Sequence, residues 1–263
     1  MRGKALTLFA AAALAFAGAA LRAAAQRKAT PRPAEQEKKA SARPEEQGRT
    51  ANGSSPSNAA TADAKTKEDA GAAHYAYEFS QPDFFVYFVH IEHDDRGRGT
   101  IRFERRSDTE QLTDPLEISP AALARIRAHY AALRFLDSEE NYQGQRTYPS
   151  QGKTKLTLRQ GGRERTAEFN YSQNADAQAL AEEYRRVSEQ ALFVFDINVA
   201  LESQPLETPK LINRLESLIG SNFLSDAQQL VPLLRQLTED ERVPLVGRNQ
   251  AARILKKLEK QGQ

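Results

Sequence analysis

Apolar positions in residues 175–203 (ADAQALAEEYRRVSEQALFVFDINVALES) recur at Leu180, Tyr184, Val187, Ala191, Val194 and Leu201, spacing that lays one stripe along a helix. Up to Gln190 the other faces carry Glu182, Glu183, Arg185, Arg186 and Glu189; beyond it Leu192, Phe193, Phe195, Ile197 and Val199 fill most of the circumference. A helix apolar on one face packs on one partner, and a helix apolar nearly all round is buried on several sides. The pattern therefore predicts a beam whose first half covers a β-sheet and whose second half is clamped between that sheet and a C-terminal helical segment. The run Phe193, Phe195, Ile197, Val199 also alternates like a strand. If this half is helical, Asn198 lies on the stripe and should face the core with a partner for its amide.

Upstream the period changes to two. Tyr75, Tyr77 and Phe79 alternate with Ala76, Glu78 and Ser80 as in a half-buried strand. Residues 84–91 (FFVYFVHI) are apolar on both parities, which predicts a central strand with both faces covered. After turn formers at Asp94–Gly99, Ile101 and Phe103 mark the return strand. A second hairpin pivots on Gly161-Gly162 and pairs Arg159 with Glu164, Thr157 with Thr166 and Lys155 with Glu168, sending Leu156, Leu158, Ala167, Phe169 and Tyr171 to the core. Between the hairpins Ser119 and Pro120 start a helix lined by Leu123, Ile126, Tyr130, Leu133 and Leu136. The order β-β-β-α-β-β-α predicts an α+β fold: an antiparallel sheet of about five strands covered by two helices.

The C-terminal segment predicts a small helical bundle. Leu211, Leu215, Leu218 and Ile219 line one helix, opened by Thr208 as cap and Pro209; Leu230, Leu233, Leu234 and Leu237 line the next; Ala251, Ile254, Leu255 and Leu258 line the last. The run LVPLLRQLTEDERVPLVGRNQAARILKKLEK, with Val246-Gly247-Arg248 ahead of Ala251-Ala252 and Leu255, resembles one helix-turn-helix unit of a HEAT-type repeat. Repeat arrays need several units to stabilise one another, and only one is legible here, so an ordinary bundle sealing the beam competes with that resemblance.

Composition adds a compartment. Arg2 and Lys4 precede an apolar run over residues 5–20, followed by Ala23-Ala24-Ala25, which predicts a secretory signal peptide over 1–25 and a secreted or periplasmic protein; an uncleaved N-terminal anchor is the alternative. Residues 26–72 contain no Leu, Ile, Val, Phe, Tyr or Met and predict a disordered linker, ahead of an α+β domain over 73–203 and a helical segment over 204–263. With 0 cysteines neither a disulfide nor thiol catalysis is available. A formal net charge of +2 provides no drive toward nucleic acid.

Chemistry is sparse. His90, Glu92, His93, Asp94 and Asp95 form the sole cluster that mixes histidine with carboxylate, but a strand places His90 and His93 on opposite faces, so no metal or other cofactor is assigned. Tyr142 and Tyr148, in the loop over 137–153, are either partner anchors or pins that hold the loop to the sheet. Arg102, Arg105, Arg106, Lys153, Lys155, Arg159, Arg163 and Arg165 suggest a modest basic face suited to an anionic polymer or an envelope protein. The resulting expectation is an exported, non-enzymatic binding or scaffold protein, with His90, His93, Tyr142 and Tyr148 as candidate binding residues. The alternative is a metal-dependent or carboxylate-based hydrolase built on His90–Asp95.

Overall fold

Period-two burial makes the first strand: β1 (His74–Ser80) turns Tyr75, Tyr77 and Phe79 inward and the residues between them outward. The computed structural model describes residues 71–262; the signal peptide expected over 1–25 and nearly all of the linker expected over 26–72 lie outside the described residues. After β1 come β2 (Val86–Asp94), β3 (Arg98–Arg105), β4 (Leu112–Glu117), α1 (Pro120–Ala132), β5 (Lys153–Gln160), β6 (Arg163–Phe169) and α2 (Ala175–Ser203). The chain then continues through α3 (Thr208–Gly220), α4 (Val231–Glu239) and α5 (Leu245–Gln261). The fold is α+β, with a 6-stranded antiparallel sheet in the order β4-β3-β2-β1-β5-β6.

The hairpin register is the one the charge pattern requires. Lys155 faces Glu168, Thr157 faces Thr166 with hydroxyls 2.9 Å apart, and Arg159 pairs with Glu164 at 2.9 Å. Gly161 and Gly162, at φ 58° and 75°, supply the positive dihedrals of a primed two-residue turn. The ion-pair partner of Glu168, however, is the diagonal Lys153. Ser119 accepts a hydrogen bond from the Ala122 N–H at 3.2 Å, so the cap and proline that open α1 act as their residue types imply.

The structure corrects several expectations. The sheet has an additional strand, β4, whose Thr-Asp-Pro centre hides it because proline and aspartate are poor strand formers. An edge position tolerates them. The Ile118 N–H donates to the Gly97 carbonyl at 2.8 Å, so Leu112, Asp114 and Leu116 turn their backbone groups to β3, and Thr113, Pro115 and Glu117 turn theirs outward. Pro115, without an N–H, thus sits where no ladder bond is lost.

The FFVYFVHI stretch does lie inside the sheet, but of its residues only Val89 and Ile91 are buried, while Phe84 and Phe85 precede the strand and are 45% and 59% exposed. Both helices cover the same face and leave the other to solvent, as antiparallel sheets allow. Thr208 lies inside α3 and its hydroxyl donates to the Pro205 carbonyl, so it is not the cap.

The beam is a single helix of 29 residues. Its Tyr184 ring stacks on Tyr77 at 4.9 Å and its Phe195 meets Phe103 edge-on at 5.1 Å, while Phe193, Ile197 and Leu201 share a second core with Ile212, Leu234 and Ile254. Asn198, expected to face that core, is exposed at the rim of a cleft described below. The offset arises because Phe193 and Ile197 point most directly at α3–α5, which leaves Val194 only partly buried at the margin of that core and Asn198 exposed. Those helices pack together, with α5 against both α3 and α4.

A charged knot ties the two halves. Glu183, with its side chain 1% exposed, accepts from Arg125 at 2.8 Å, Arg186 at 2.7 Å and Ser225 at 2.6 Å, so α1, α2 and the loop before α4 meet on one carboxylate. Burial pushes Glu183 upward, but these hydrogen bonds outweigh it and the net shift is downward. The knot is asymmetric, because Arg125 is 42% exposed and can return to water whereas Glu183 cannot. Arg125→Ala should therefore cost roughly 2–3 kcal/mol, and Glu183→Met, which removes the buried charge, only about 1 kcal/mol. Urea unfolding of both variants checks this, and equal losses would contradict the asymmetry.

Candidate functional site

The paired strands that were expected to carry chemistry separate their histidines. His93 faces inward, is 3% exposed, and stacks on Tyr75 with ring centroids 4.8 Å apart. Its Nδ1 lies 2.7 Å from the Asp94 carbonyl, an acceptor only, so Nδ1 carries the proton. Nε2 then accepts from the Tyr184 hydroxyl at 2.9 Å. Both ring nitrogens are engaged inside the core, and burial pushes the imidazole down to about 4. His90 points to the open face, 2.9 Å from Glu92 and 3.6 Å from Glu78. The hydrogen bond from His90 is the main cause that holds the Glu92 carboxyl below its usual range.

Asp94 serves the turn. Its Oδ1 accepts the N–H groups of Arg96 and Arg98, both at 2.8 Å. Among the described residues no group of His, Asp and Glu converges as metal ligands.

The loop tyrosines are placed differently from each other. Tyr142 is 2% exposed, stacks on Phe135, and lies under the Arg165 guanidinium at 5.0 Å. It pins the loop to the sheet. Tyr148 is half-buried and meets Tyr171 edge-on at 5.0 Å. The basic residues do not form one face either. Arg105 reaches Asp196 at 2.6 Å and Arg165 the Phe135 carbonyl at 2.7 Å, both on the inner side. Arg102, Lys153 and Arg159 pair with Glu92, Glu168 and Glu164 on the open face, whose shallow groove of about 490 Å³ mixes both signs of charge.

A cleft of about 450 Å³ lies where the sheet meets the helical end. One wall is β4, with the inward-facing Asp114 and Leu116 and the outward edge at Glu117; the floor is α2, with Val187, Ala191 and Val194; the far wall is formed by Leu230 and Leu233 at the start of α4. Its base is held by a chain of amides. Gln190, 7% exposed on α2, accepts the Asp226 N–H at 2.9 Å and donates to Gln229 at 2.8 Å. Gln229 in turn donates to the outward carbonyl of Glu117 at 2.7 Å. That chain fixes the spacing of the walls and also occupies one of the edge acceptors a foreign strand would use.

The cleft escaped sequence reasoning because its walls come from segments more than a hundred residues apart, Glu117 and Gln229 being separated by 112. The available signal was Gln190, a glutamine beside the apolar stripe at the point where the rest of the circumference turns apolar. Chemically the cleft offers apolar surface, amide hydrogen bonds and acidic residues on one rim. Compared with models of known protein families the sequence matches none, and comparison with curated proteins finds no significant relative.

Proposed function

We propose that this chain is a non-enzymatic binding or scaffold module whose ligand site is the cleft between β4, α2 and α4. The observation that carries the reading is the Gln190–Gln229–Glu117 amide chain, which holds two distant walls at a fixed separation around a volume in the range of small-molecule sites, roughly 300–1,000 Å³. The chain is anchored on the buried Gln190 and runs out through the exposed Gln229 to Glu117; amides bonded at both ends hold the walls in one arrangement, and preorganisation of that sort favours affinity. The pattern of Arg2, Lys4 and residues 5–20 adds export to the proposal, and retention of the full chain in the cytosolic fraction of bacterial cells would count against that part. The alternative hydrolase reading must work with His90, Asp94 and Asp95, since both nitrogens of His93 are engaged.

A fragment library screened by thermal shift tests the binding reading. Hits should raise the melting temperature of the native chain and not that of Asn198→Trp, whose indole fills the cleft from an exposed rim position. A screen without hits, or hits indifferent to the substitution, goes against the cleft as the site.

A further inference from the structure

We propose that the cleft takes an amphiphilic organic cation, an ammonium or guanidinium group joined to an alkyl or aromatic body. This rests on the cleft being the binding site. The charged residues lining it, Asp114 on the inward parity of β4 and Glu117 on the outward, are both acidic, and no Lys, Arg or His lines it, although the sequence as a whole is nearly balanced with 37 basic and 35 acidic residues. Neither carboxylate forms an ion pair among the described residues. Arg125 comes near the cleft through Ser225, but its charge is taken up by Glu183.

Asp114 is half-buried on the inward parity of β4, and burial alone pushes its carboxyl upward. An incoming cation would supply the counter-charge the fold withholds, while Val194, Leu233 and Leu116 accept the apolar body. The rival pull comes from the starts of α1 and α4, because helix N-termini attract anions. Here it is blunted: Pro120 and Pro232 carry no N–H, and Ser119 accepts from Ala122. Formal charges on the β4 wall therefore set the sign of the site.

The test is a titration of the isotope-labelled full chain with hexylammonium, hexanol and hexanoate, followed by backbone amide NMR. Hexylammonium should shift Leu116, Glu117, Val194 and Leu233 saturably, bind about five-fold more tightly than hexanol, and leave hexanoate weakest. Asp114→Asn should bring hexylammonium down to the level of hexanol. Equal binding of the three probes, or hexylammonium binding indifferent to Asp114→Asn, overturns the cation inference and leaves the cleft standing as a site. No saturable shift from any probe, or shifts that survive in Asn198→Trp, removes the cleft and the cation with it.

Discussion

Phe193→Ala should lower the unfolding free energy by about 3–5 kcal/mol, the range for truncating a fully buried aromatic, and the melting temperature by roughly 10 °C. Phe193 is 0% exposed and contributes to the core that α2 shares with Ile212, Leu215, Leu234 and Ile254. Its neighbour Leu192 belongs to the other core, beneath the sheet, so consecutive side chains tie the beam to two different cores. Removing the ring leaves a cavity between rigid helices that cannot collapse without shifting α3–α5, which is where large-to-small costs are highest. The loss should also be uneven. Amides in α3–α5 should exchange with solvent well before those of β1, β2 and β5, because Phe193, Ile197 and Leu201 are the beam's buried contribution to that core. Guanidinium unfolding with hydrogen exchange measures both effects, and a loss below about 1.5 kcal/mol, the size of a methylene-scale change, would contradict the packing described.

Lowering the pH from about 7 to 4 should remove about 3 kcal/mol of stability through His93 alone. The ring keeps its neutral form in the fold because burial between Tyr75 and Tyr184 would strip an imidazolium of water, and the one contact of Nε2 is a hydrogen bond it accepts in its neutral form. In the folded chain burial depresses its pKa to about 4, while the unfolded ring titrates near 6.5. Above 6.5 both states hold a neutral ring and the contribution is complete. As the pH falls from 6.5 toward 4 the unfolded state binds a proton the folded state refuses, and stability drains away across that window. Glu183 and Asp94, whose carboxyls are lowered in the fold, lose stability in the same direction at lower pH, so the raw slope is not due to His93 alone. His93→Phe separates the terms. It keeps a ring against Tyr75, has nothing to protonate, and should show a slope shallower than the native chain by about 3 kcal/mol over the window, whatever its fixed offset. Parallel slopes from urea unfolding at several pH values would rule out His93 as the acid-sensitive group.

How far the fold was legible depends on where each signal lives. The hairpin around Gly161-Gly162 was readable to the residue because its determinants are local: two glycines, two opposite-charge pairs and a threonine pair within a short span. The start of α1 was readable for the same reason, through Ser119 and Pro120. β4 was not, since Thr113, Asp114 and Pro115 form a strand only because β3 offers its edge. Of the candidate site residues, the opposite facing of His90 and His93 followed from strand parity, whereas the burial of Tyr142 depended on Arg165 and Phe135, which no spacing in the sequence connects. Arg165 shares the inward parity with Leu156 and Phe169, and the aromatic and carbonyl partners that make its burial tolerable belong to another segment.

The sequence by itself determined the α+β class, the helical first half of the beam and the change near Gln190 from a one-sided to an all-round apolar pattern, because such periodicities are written in consecutive residues; that Phe193–Val199, which also alternate like a strand, continue the helix was decided by the packing. Only the tertiary structure decided which side of the second half meets α3–α5. Burial is set by the direction from which a neighbour arrives and not by the stripe alone, so Phe193 and Ile197 went to the core and Asn198 to the rim of the cleft. The cleft itself is likewise a product of assembly: its walls, β4 and the start of α4, become neighbours only when both pack on the same beam, and its amide chain spans segments that no local pattern could join.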